Sequence, residues 1–121
     1  MKKKLLIIVL SILFIAPFCY AYDEVNILGK TPFAYERTTV TTAAVFQLDA
    51  THRATAGAVF ITIEDNNIRY RIDGGDPSII NGHLVVSALY QNIWLFDPSS
   101  IRNFRMIGIG GNSIVLITYY R

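Results

Sequence analysis

Four acidic residues sit in two close pairs, Glu64 with Asp65 and Asp73 with Asp76. Two carboxylates about 5–10 Å apart across a cleft are what glycoside hydrolysis needs. Both pairs border turn-forming residues, and Asp is a preferred turn former because its side chain bonds nearby backbone. Turn chemistry is therefore the expected role. Asp73 and Asp76 with nearby carbonyls could also hold calcium, but the D-x-D-x-D-G spacing is missing. Ser78, Ser87, Ser99, Ser100 and Ser113 offer hydroxyls, yet none lies in a G-x-S-x-G turn. His52 and His83 lack the H-x-x-x-H spacing of a zinc site, so no metal is expected. Gly108 to Gly111 precede a strand rather than a helix, which fits a turn better than a phosphate cradle. No catalytic constellation emerges, so the expectation is a protein that is not an enzyme and uses no cofactor.

Aromatic residues carry the stronger hint. Tyr90, Trp94, Phe96, Tyr119 and Tyr120 are numerous for one small domain. Exposed rings stack on sugars or anchor protein interfaces, whereas buried rings fill cores. Trp94 and Phe96 alternate, so one face of their strand is aromatic. Tyr90, Trp94 and Phe96 are the candidate binding residues.

The elements that position these residues read as strands. Val59, Ile61 and Ile63 alternate with Phe60, Thr62 and Glu64, and Ile68, Tyr70 and Ile72 alternate with Arg69, Arg71 and Asp73. That period of two argues for strands, and the Asp65-Asn66-Asn67 turn between them predicts a hairpin. The two arginines share one face with Tyr70 on the other, which reads as strand decoration. Asp73-Gly74-Gly75-Asp76-Pro77 then breaks the ladder, because Pro77 cannot donate and the glycines allow positive φ. Short strands are expected at Thr38–Leu48, His83–Ala88 and Asn92–Phe96. Asp97 to Ser100 reads as a turn, with strands at Ile101–Ile109 and Ser113–Tyr120 joined by Gly110-Gly111-Asn112 as an antiparallel pair. The apolar Ile114–Ile117 run predicts an internal strand. No stretch shows a helical period with caps.

Before the strands, Lys2, Lys3 and Lys4 lead an uncharged run from Leu5 to Phe18, and Ala21 offers a cleavage position. This is the pattern of a secretory signal peptide, and 14 residues is short for a membrane span. Membrane contact is expected only through this segment if it stays uncleaved. Cys19 follows Pro17 and Phe18, a poor setting for acylation. Removing 21 of 121 residues leaves 100, one domain. Eleven basic residues minus three lysines leaves eight against nine acidic ones, a net charge of −1. Such a domain has no basic surplus for nucleic acid. Without further cysteines it forms no disulfide despite export. Hydrophobic residues at 52% exclude a disordered chain.

The run Val59–Glu64, then Ile68-Arg69-Tyr70-Arg71 with Asp73-Gly74 and Pro77, then Gly82-His83-Leu84, resembles a group of small tailed-phage proteins. Ile101 with Phe104-Arg105, and the final Tyr119-Tyr120-Arg121, continue the likeness over just over half the chain. The resemblance implies a small β-sandwich virion or accessory protein. A looser likeness joins Tyr70, Asp73, Gly74 and Pro77 to the C-terminal sandwich modules of chitobiase-type secreted glycosidases. Virion proteins assemble in the cytoplasm, so with this signal the resemblance implies a prophage-encoded exported protein, a start codon set too far upstream, or a family broader than virions; three lysines before fourteen uncharged residues favour a real signal.

The expected fold is all-β: a small antiparallel β-sandwich of about seven strands, immunoglobulin-like or jelly-roll-like, after an N-terminal signal helix. Residues 1–21 form the signal, 22–36 an arm and 37–121 the sandwich. The expected role is a structural or interaction module, phage-virion-like and self-associating or protein-binding, exported to the periplasm or outside. A secreted carbohydrate-binding module, with Tyr90 and Trp94 as stacking residues, is the alternative.

Overall fold

The computed structural model describes residues 29–121. The expected signal segment and the first part of the arm lie outside the described residues. The remainder is β-rich. Its strands are β1 (Pro32–Val40), β2 (Phe46–Gln47), β3 (Ala58–Ile63), β4 (Asn67–Arg71), β5 (His83–Val85), β6 (Asn92–Leu95), β7 (Arg105–Ile109) and β8 (Ser113–Tyr120). Two short helices, α1 (Ala50–Thr55) and α2 (Pro98–Asn103), join strands. The strands form two four-stranded antiparallel sheets, ordered β1-β8-β3-β6 and β2-β7-β4-β5. This is consistent with a small β-sandwich, here with eight strands rather than about seven.

Alternation along each strand builds the core. In β8, Val115, Ile117 and Tyr119 point inward, and in β3, Val59, Ile61 and Ile63 do so. The second sheet contributes Ile68, Val85 and Met106, while Ile101 and Phe104 close the α2 end. Burying each large aliphatic side chain contributes about 1.5–3 kcal/mol. As expected for its apolar run, β8 is internal, flanked by β1 and β3.

Strand pairing departs from the expected hairpins. β3 pairs with β6 and β8, whereas β4 pairs with β5 and β7, so β3 and β4 lie in different sheets. β7 and β8 likewise separate. The reason lies in the two turns, which bond each other instead of closing ladders. The Ile114 N–H donates to Asp65 Oδ1 at 2.7 Å, Asn66 Nδ2 donates to the Asn112 carbonyl at 2.8 Å, and Ser113 Oγ donates to the Asn66 carbonyl at 2.7 Å. Each turn is thus an arch between sheets, braced by its neighbour. Among the described strands only the β4–β5 connection stays within one sheet; the links β1–β2, β2–β3, β3–β4, β5–β6, β6–β7 and β7–β8 all cross. Gly108 sits where this crossing is tightest: a Cβ there would lie 2.8 Å from the Gly111 carbonyl oxygen and 2.9 Å from that of Val40.

The first strand starts at Pro32, inside the stretch expected to be an arm, and forms a sheet edge with a bulge between Pro32 and Ala34. An edge position tolerates the missing proline N–H. Val40 ends β1, so Thr38–Leu48 is two strands in two sheets. β5 ends at Val85, and Ser87–Leu89 form a 3₁₀ turn.

The helices were not expected. Asp97 caps α2 by accepting from the Ser100 N–H at 2.8 Å, with Pro98 in the first turn. Ile101 therefore begins no strand; it is a buried residue of α2. Asp49 caps α1, accepting from the Thr51 and His52 N–H groups.

Candidate functional site

The Asp73-Gly74-Gly75-Pro77 motif starts the loop from β4 to β5, and this loop is fixed over the outer face of the second sheet. Ile68 is buried and Tyr70 packs on Phe104, so Arg69 and Arg71 project from the opposite face, as strand alternation requires. Arg105 on β7 lies opposite Arg71. Each arginine holds the loop. Arg71 donates to both Asp73 oxygens, at 2.9 and 2.5 Å, and the Gly75 N–H adds a third bond to that carboxylate. Arg105 donates to Asp76. Arg69 donates to the carbonyls of Ile79 and Gly82, at 3.1 and 2.7 Å. The Arg71 guanidinium, then the Gly75 N–H, lower the Asp73 carboxyl to about 2.

These bonds account for the expected acid pairs. Asp73 and Asp76 are loop clamps, Asp65 accepts from Ile114, and Glu64 lies 3.7 Å from Arg37. Among the described residues no three His, Cys, Asp or Glu side chains come together as a metal site.

At the loop tip Ser78 and Asn81 exchange backbone hydrogen bonds, and Ser78 Oγ accepts from the Asn81 N–H at 3.1 Å. The turn between them presents Ile79 and Ile80 to solvent, Ile80 at 85% exposure. Gly82 closes the loop at φ +116°, where a Cβ would lie 2.9 Å from the Tyr70 carbonyl oxygen. These isoleucines were not singled out in the sequence. Their signal was two β-branched apolar residues set between turn formers, with no alternation to bury them.

The three candidate binding residues divide between two surfaces. Trp94 and Phe96 stack on the outer face of the first sheet, with ring centroids 5.5 Å apart and planes 3° apart. Phe60 lies 4.4 Å from Trp94 and Tyr120 5.8 Å from it, so four rings form one patch. Tyr90 does not join them. It ends the 3₁₀ turn with φ +51° and is 92% exposed. An αL tyrosine costs about 1–3 kcal/mol and points to a local role. Tyr90 lines an open cleft of about 530 Å³ with His83, Leu84, Leu89, Gln91 and Asn92, beside β5 and β6, the edge strands of the two sheets among the described residues.

Each histidine lies beside a tyrosine ring. His83 lies 5.2 Å from the Tyr70 ring. His52 lies 5.0 Å from the Tyr119 ring, and its Nδ1 is 3.3 Å from Asp49 Oδ1. Tyr119 is fully buried; its hydroxyl donates to Glu36 Oε2 at 3.0 Å and accepts from the Asp49 N–H at 3.3 Å. Burial, then the Glu36 charge, push its phenol well above the ordinary tyrosine value.

Comparison with protein-family models, with curated proteins and with solved structures returns no match to this chain.

Proposed function

We propose that the protein is a non-catalytic interaction module, exported and phage-virion-like, that associates with copies of itself. One observation carries this reading. Of eight exposed large hydrophobic residues among those described, Ile72, Ile79, Ile80, Leu84, Leu89 and Tyr90 all fall within residues 72–90. Scattered surface hydrophobics need no explanation, but a concentration beside an edge strand supports a contact surface. Within the two expected architectures, eight strands in two sheets ordered β1-β8-β3-β6 and β2-β7-β4-β5 support the jelly-roll reading, an eight-stranded double sheet. Jelly rolls occur in viral capsid and lectin domains, and that association alone assigns no role.

A secreted carbohydrate-binding module is the second reading, favoured by the Phe60–Trp94–Phe96–Tyr120 patch. It would stack sugar rings on Trp94 and Phe96, with Tyr90 outside the site. A glycan array and pull-down on insoluble polysaccharide separate the two readings. Self-association predicts a blank array and an oligomer by size exclusion with light scattering. A positive array with a monomer supports the sugar reading and contradicts the first.

A further inference from the structure

We infer that the Ile79–Ile80 tip is a contact for an anionic lipid surface, its side chains reaching the acyl boundary while Arg69 stays among the headgroups. The inference goes beyond the self-association reading and does not depend on it. Three exposed aliphatic side chains gather around Arg69. Ile79 and Ile80 project from the loop that Arg69 holds, and Leu84 stands opposite Arg69 across the β4–β5 pair. Protein contacts draw most of their energy from Tyr, Trp and Arg seated in shaped pockets. Aliphatic side chains gain from hydrocarbon without any matching shape, because the effect has no direction.

A loop approaches hydrocarbon cheaply only if its backbone polar groups already have partners. This tip supplies most of them. The Ser78 N–H donates to the Asn81 carbonyl at 2.9 Å, and the Asn81 N–H to the Ser78 carbonyl at 3.3 Å. The Ile80 N–H donates to Ser78 Oγ at 3.4 Å, and the Ile79 carbonyl accepts from Arg69 Nε at 3.1 Å. Charge then sets the lipid class. Arg71 and Arg105 neutralise Asp73 and Asp76, whereas Arg69 bonds carbonyls and keeps its charge. Three guanidiniums less two carboxylates leaves 3 − 2 = +1 beneath the tip. Anionic headgroups attract that charge. So few side chains make a weak, reversible contact and not an anchor. It is a second route to lipid, separate from the signal segment.

The test reads position 80 itself, so lipid binding by a retained signal segment does not imitate it. The chain has one cysteine, so Ile80→Cys with Cys19→Ser takes a single polarity-sensitive fluorophore. Tyr35→Cys with Cys19→Ser, labelled on edge strand β1, is the control; both labelled positions are exposed, so circular dichroism and Tm should match the parent. Mixed phosphatidylcholine and phosphatidylglycerol vesicles should blue-shift the emission at 80 and leave it unchanged at 35. Pure phosphatidylcholine should require about fivefold more lipid, the effect of one charge at the surface. Adding Ile79→Asp to the labelled chain should require at least about tenfold more. No shift at 80, an equal shift at 35, or an equal response to neutral and anionic vesicles would overturn the inference. A label at 80 that ignores vesicles and answers to concentrated unlabelled protein also overturns it, and leaves the self-association reading standing.

Discussion

One hydroxyl joins three segments: Tyr119 on β8 bonds Glu36 on β1 and the Asp49 cap of α1. Tyr119→Phe keeps the ring but leaves these groups short of a partner, so stability should fall by about 1–3 kcal/mol in urea denaturation. The phenol is raised in the folded state, so folding favours its neutral form. That contribution is complete below the unfolded value of about 10 and is lost as pH rises through the folded value. The alkaline limb of stability against pH should be shallower in Tyr119→Phe. Asp73 has the opposite sign. Its folded carboxyl is depressed to about 2, so its contribution is present above the ordinary value of about 3.9 and lost as pH falls toward 2. Carboxyl NMR should place Asp73 near 2, and Arg71→Leu should return it toward the ordinary value. At this scale the sequence was informative about type: the acidic pairs were recognised as turn formers. It could not show that Asp73 clamps Arg71 or that Asp76 reaches Arg105, 29 residues away.

The helices show what the strand rhythm hides. Ile101 lies in α2 and is fully buried, so Ile101→Ala should cost about 2–5 kcal/mol by denaturant titration. A surface strand residue at that position would cost far less. Asp97→Asn should keep the Tm because asparagine also caps, whereas Asp97→Ala should lower it. Asp97 to Ser100 reads as a turn in the sequence, although Asp followed by Pro98 is a helix start as much as a turn, and six residues are too few to show a helical period. Alternation located β3 and β4 well, because a half-buried strand must alternate, whereas the strand expected over Ile101–Ile109 begins only at Arg105. It said nothing of partners. Asp65-Asn66-Asn67 and Gly110-Gly111-Asn112 each permit a reversal, and whether a reversal closes a hairpin or crosses between sheets depends on contacts with the other turn. Those contacts join residues more than 45 positions apart, beyond any local signal.

At the scale of the molecule, the exposed aromatic and apolar side chains of the described residues are spread over more than one surface. The aromatic patch and the apolar flank lie on different sides, one on the outer face of the first sheet and one beside the β5 edge. The sequence supplied Tyr90, Trp94 and Phe96 as one group, but the β5–β6 connection sends them to two surfaces. The interaction reading puts the working surface at the flank. Amide hydrogen exchange on dilute and concentrated protein tests this most directly. Protection should rise with concentration at residues 79–90 and stay unchanged at Phe60, Trp94 and Phe96. Unchanged exchange at 79–90, or new protection confined to the aromatic patch, would contradict the account.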